Sequence, residues 1–147
     1  MIQCTQDCDP QLTPPEKYLV EKIAKKVLTD HKIQNGYISF IFGSDELLAS
    51  LKKEFFHQDY WTDVIAFRLN SYNKKHVEGE IYISLPRAKE NSEKFAEPFE
   101  KEVARLIIHG ALHLLGFEDK TDQQINKMRK IEEKYLGLLD WKFLFGD

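Results

Sequence analysis

The sequence predicts a single α+β domain, on three observations. Segments with apolar residues three and four apart alternate with short runs whose apolar residues are two apart, the periods of helix and strand. Capping residues, prolines and glycines mark where these segments start and stop. The chain has 147 residues, 42% hydrophobic and 31% charged, the size and balance of one globular domain with one sizeable core. No internal repeat, low-complexity tract or linker divides it.

Residues 1–11 are polar and acidic and read as a flexible arm, leaving 12–147 as the domain. The arm lacks a signal peptide's apolar region, and the longest apolar runs fall far short of a membrane span. A cytoplasmic protein with no membrane partner is expected. Cys4 and Cys8 have the spacing for a small disulfide or half a metal site. A reducing compartment and the absence of a second cysteine pair favour free thiols.

Thr13-Pro14-Pro15-Glu16 predicts the first helix start, with Thr13 as N-cap, Pro14 at the first helical position and Glu16 closing a capping box. Leu19, Val20, Ile23 and Val27 follow at helical spacing, and Asn35-Gly36 turns the chain. Tyr37 to Phe42 reads as a strand with Ile38, Phe40 and Phe42 on one face. Ser44 caps a second helix carrying Leu47, Leu48, Leu51 and Phe55. Val64 to Leu69 and Glu80 to Ser84 read as two strands of a hairpin, joined by a polar, flexible connection from Asn70 to Gly79. A short helix spans about Pro86 to Lys94, and Pro98 opens a longer one reaching about Leu115. Thr121 and Gln124 form a capping box for the last helix, with Ile125, Met128, Ile131 and Tyr135 inward. The Trp141 to Phe145 tail docks on the domain or adds an edge strand.

The chemistry concentrates in His109-Gly-Ala-Leu-His113-Leu-Leu-Gly116-Phe-Glu-Asp119. Residues four apart on a helix are neighbours, so both imidazoles can reach one ion about 2 Å away. Leu106, Ile107, Ile108, Leu112, Leu114 and Leu115 make this helix apolar almost all round, and buried histidines need partners. Two core histidines satisfied by carbonyls or carboxylates are the bland alternative. Gly116 and Asp119 tip the balance, because glycine can end the helix and let the acid fold back. Offsets of 0, 4, 7 and 10 match the metzincin zinc spacing, whose third ligand is usually histidine. Glu118 and Asp122 are rival third ligands at poorer offsets. Zinc, one ion, is the expected metal, although two imidazoles and a carboxylate also serve non-haem iron. Three ligands leave a position open for water, the mark of a catalytic site.

Zinc peptidases place a general-base glutamate directly after the first histidine, and here that position is Gly110. A base would have to come from elsewhere, and Asp63 and Glu80, near the ends of the hairpin strands, are candidates. Net charge is −3, which gives no global basic footprint for nucleic acid, so any RNA contact needs a local basic patch.

The histidine segment resembles the H-G-x-L-H-L-x-G-Y-D-H signature of the YbeY family, bacterial metallo-endoribonucleases linked to ribosomal RNA maturation. Thr62-Asp63-Val64-Ile65-Ala66-Phe67 is similar to that family's T-D-V-L-S-F strand, and Gly79-Glu80-Ile81-Tyr82-Ile83-Ser84 to its G-D-I-x-I-S strand. The resemblance implies a mixed sheet of about four strands packed by about five helices around a metzincin-like metal helix. It implies zinc held by His109 and His113, and cleavage of single-stranded RNA in 16S rRNA 3′ end maturation and late ribosome quality control. The partners it implies are ribosomal RNA in the small subunit, with ribosomal proteins or assembly factors. Two positions depart from the pattern. Most relatives have histidine where this chain has Asp119, and many carry an arginine where it has Phe56. Arg68, Arg87 and Arg105 are candidate replacements for that cation, with Arg105 best placed, one helical turn before His109.

Three functions follow: a metal-dependent endoribonuclease, a zinc hydrolase of another substrate such as a peptide, and a non-catalytic ribosome-assembly factor with a structural metal.

Overall fold

The computed structural model describes residues 1–72 and 75–146. In chain order the elements are β1 (Ile2–Cys8), α1 (Lys17–Asp30), β2 (Asn35–Gly43), α2 (Asp45–Phe56), β3 (Val64–Arg68), β4 (His76–Ser84), α3 (Leu85–Lys94), α4 (Phe99–Leu114) and α5 (Asp122–Leu138). The four strands form one mixed sheet in the order β1-β2-β4-β3. β1 and β4 run parallel to β2, and β3 runs antiparallel to β4 at the edge. The architecture is the expected α+β one.

The fourth strand, however, is the N-terminal segment expected to be a flexible arm. Residues 2–8 pair with 36–42, and Ile2 and Cys4 are buried. Their period-two pattern is diluted by Gln3 and Thr5, which point to solvent, so the segment reads as polar. Residues four apart in a strand lie about 13 Å apart, beyond disulfide reach, and both cysteines are free. Burial pushes the Cys4 thiol up to about 12, which makes it inert.

Helix α1 begins at Lys17, not Pro14. Pro15 bars its predecessor from helical geometry, and the Glu16 N–H instead donates to the Leu144 carbonyl, 2.7 Å away. The aromatic tail therefore docks, with Leu144 buried and Phe145 against Phe99. Asn35-Gly36 lies inside β2, and β4 takes in residues 76–79 of the connection expected to be flexible; residues 73 and 74 lie outside the described residues.

Helix α4 is the centre of the molecule, touching α1, α3, α5, β3 and β4. It covers the sheet face carrying Phe40, Phe42, Ile81 and Ile83, all buried. Two glycines permit the close approach. A Cβ at Gly79 would lie 2.6 Å from Leu114 Cδ2, and one at Gly110 would lie 2.7 Å from Ile81 Cγ2. Gly110 is therefore a packing residue facing β4. Overpacking of this kind costs about 1–3 kcal/mol, while alanine regains about 1 kcal/mol of helix propensity. Gly110→Ala is expected to lower stability by up to about 2 kcal/mol in urea unfolding; a variant more stable than the parent would refute the close contact.

Candidate metal centre

Helix α4 presents His109 and His113 on successive turns of the face left open by the sheet. The helix stops at Leu114, and Gly116 takes a left-handed φ of 102°. The Gly116 N–H then donates to the His113 carbonyl and the Phe117 N–H to the Leu112 carbonyl, closing the helix end. The reversed chain brings Asp119 back over the histidines. Thr121 and Gln124 immediately form the expected capping box, which starts α5 and fixes the turn.

His109 Nε2 and His113 Nε2 are 3.0 Å apart, and Asp119 Oδ2 lies 3.3 Å from the first and 3.4 Å from the second. Ligand atoms about 2.0–2.1 Å from a tetrahedral ion sit about 3.3 Å from one another, so these three atoms form one face of such a tetrahedron. Among the described residues they are the group able to hold a metal, and the residues fit one. Glu118 and Asp122 do not join the set.

Electrostatics sharpen the arrangement. Burial opposes the charged form of His109, but its hydrogen bonds and charge contacts with Asp119 and Glu132 outweigh that, and its pKa rises to about 9. Burial and the neighbouring His109 lower the pKa of His113. The His109 hydrogen bond draws Asp119 down to about 2. A metal binds deprotonated ligands, so its binding displaces the His109 proton.

The site opens into a cleft of about 810 Å³ along the edge strand β3. The α4 histidines and the turn from Gly116 to Lys120 line it, together with Lys52 and Phe56 of α2, Gln58, Tyr60 and residues 62–66.

A family model described as Endoribonuclease YbeY matches residues 4–140. The chain belongs to the YbeY family. Its relatives named Endoribonuclease YbeY include one from Chloroherpeton thalassium, 39% identical over 88% of this chain and 89% of that one. Another, from Flavobacterium psychrophilum, is 34% identical over 97% and 99%. A solution structure from Thermotoga maritima is 30% identical with a TM-score of 0.58, covering 94% of this chain and 91% of that one.

Seen as a YbeY site, the remaining candidate residues sort by position. Asp63 lines the cleft with the histidines, its Oδ2 accepting from Asn91 Nδ2 at 3.0 Å. Glu80 does not. It alternates with Gly79 and Ile81, which face α4, so its carboxylate lies on the other side of the sheet beside Tyr82. The three arginines considered as phosphate-binding cations are all engaged. Arg105 is on the expected face but is held by Glu102 at 3.3 Å, Glu132 at 3.5 Å and Glu133 at 2.6 Å. Arg87 pairs with Asp45 and Glu90. Arg68 donates to the carbonyls of Leu114, Ser71 and His76, so it buttresses the end of α4.

Sequence reasoning missed Glu132. Only 5% exposed, it accepts a 2.6 Å hydrogen bond from His109 Nδ1. That bond keeps the proton on Nδ1 and leaves Nε2 free to ligate, the carboxylate–histidine–metal arrangement. The signal was present: residue 132 shares the inward stripe of α5 with Met128 and Tyr135, and a carboxylate there needs a partner inside.

Proposed function

We propose that this chain is a zinc-dependent endoribonuclease that cleaves single-stranded RNA, acting in the cytoplasm on the 3′ end of 16S rRNA and in late ribosome quality control. The observation that carries this reading is the tetrahedral face of His109, His113 and Asp119 opening on a long cleft, in a chain of the YbeY family. Two imidazoles and one carboxylate suit zinc. When bound, zinc supplies a Lewis acid for a phosphoryl oxygen and lowers the pKa of water.

The chain's own residues supply the rest. Glu132 fixes the tautomer and orientation of His109. Asp63, which lines the cleft and accepts a hydrogen bond from Asn91 Nδ2, is our candidate to take a proton from an attacking water. The site is open rather than enclosed: the side chains of His113 and Asp119 retain 28% and 39% exposure, which leaves room for substrate. This weighs against a purely structural metal. Gly110 weighs against a peptidase, since its Cβ direction leads into Ile81 and away from the cleft.

The test is cleavage of labelled single-stranded RNA by purified, zinc-loaded protein. Chelation is expected to abolish cleavage and added zinc to restore it. Cleavage that survives in the chelated protein would remove the metal from the reaction. Deleting the gene is expected to leave unprocessed 16S rRNA 3′ ends, and mature ends would count against the ribosomal role.

A further inference from the structure

The cleft needs a group to hold an anionic substrate, and none of the three candidate arginines lines it. Two lysines line it, Lys52 and Lys120. Lys120 pairs with Glu118 at 3.9 Å. Lys52 has no carboxylate partner among the described residues. Its Nζ instead sits 4.6 Å from the Phe56 ring centre and 5.6 Å from that of Tyr60. The local backbone explains the arrangement. His57 adopts a left-handed φ of 55° at the end of α2, and the Gln58 N–H returns to the Lys52 carbonyl at 3.3 Å. This reversal lays residues 58–60 back over Lys52. Tyr60 is tied to Gln58 through its hydroxyl at 2.8 Å, and its ring is 53% exposed with no aromatic neighbour among the described residues.

We propose that Lys52 and Tyr60 form a nucleotide subsite in the cleft that also holds the metal ligands, Lys52 holding a backbone phosphate and Tyr60 stacking a base. The inference rests on the RNA-cleavage reading and deepens it. An ammonium seated on ring faces keeps its full charge and some of its hydration, so it can take a phosphate without first breaking an ion pair. An exposed ring beside a cation is the pairing used by single-strand binders, where stacking gives affinity without base specificity. In a chain of net charge −3 whose three candidate arginines are engaged, Lys52 supplies a local cation for RNA within the cleft.

The experiment is steady-state cleavage of a labelled single-stranded RNA by zinc-loaded protein at several salt concentrations. Lys52→Ala is expected to lower kcat/KM about tenfold, mainly through KM, with zinc content unchanged. The log–log salt slope should become shallower by about 0.7, the loss of one phosphate contact. Lys52→Arg should restore both. Tyr60→Leu should raise KM, and Tyr60→Phe should not. A Lys52→Ala protein with the parent's kcat/KM and salt slope overturns the phosphate contact. So does a loss that Lys52→Arg fails to repair and that leaves the slope unchanged, since that is damage to the fold. An unchanged KM in Tyr60→Leu overturns the stacking. If the parent protein cleaves no single-stranded RNA at all, the underlying RNA reading fails instead, and the two failures are told apart by that control.

Discussion

His113→Ala is expected to yield a folded protein that has lost its metal and at least about a thousandfold of its RNA-cleaving activity. The three ligand atoms lie at the mutual spacing of one tetrahedral ion, so removing one leaves two protein ligands, and a two-ligand site does not hold zinc against dilution or weak chelators. The fold should survive. The His113 side chain is 28% exposed, and the core under it is apolar and closed by Leu112, Leu114 and Ile81, each buried. Metal analysis of the purified variant should fall from about one zinc per chain to near zero while far-ultraviolet circular dichroism stays unchanged. Full zinc content in the variant would overturn the ligand assignment. Residual cleavage equal to the parent's, with the metal gone, would separate the metal from catalysis and favour the structural role. His109→Ala should lose the metal too, but with a larger stability cost, because it strands the buried Glu132 carboxylate as well.

What the sequence revealed of this molecule divides by distance along the chain. The metal face was legible because it is local: His109 and His113 share a helix face by spacing alone, and Gly116 provides the one residue type that readily takes the φ of 102° by which the chain turns back with Asp119. The Thr121–Gln124 capping box was legible for the same reason. Most of the misreadings are non-local; the early start given to α1 is the local one, since Pro15 keeps its predecessor out of helical geometry. Nothing near Ile2 announces that its partner is Gly36, and a strand whose outward residues are Gln3 and Thr5 resembles a solvated arm until β2 is beside it. Glu80 stood in the right motif, but its face is set by the pairing of β4 with β3 and by the packing of Gly79 and Ile81 under α4. Arg105 looked available because two of its three carboxylate partners, Glu132 and Glu133, arrive from α5, 27 and 28 residues later, and only Glu102 lies on its own helix. Glu132 escaped notice although it lies on a visible apolar stripe, because its role appears only when α5 is docked against α4.

That docking makes Glu132 the most informative residue outside the ligand set, and its substitution the second large effect expected. The His109 ring has one nitrogen for the metal and one for Glu132, and the 2.6 Å bond from Nδ1 decides which nitrogen carries the proton. Glu132→Gln keeps an acceptor oxygen of nearly the same shape but removes the charge. It should weaken zinc binding by about tenfold. Glu132→Ala removes the acceptor, lets the ring rotate and leaves Arg105 with two carboxylates instead of three. It should weaken zinc binding by about a hundredfold, the upper range for outer-shell partners. It should also destabilise the domain by about 2–4 kcal/mol, since it empties a buried site and unpairs a charge network. Zinc affinity measured by competition with a chromophoric chelator, alongside urea unfolding, separates the two contributions. A positioning residue moves the affinity in both variants, with Glu132→Gln affecting affinity far more than stability. If both variants lose stability but bind zinc as tightly as the parent, Glu132 only anchors α5 to α4, and His109 is oriented by Asp119 and packing alone.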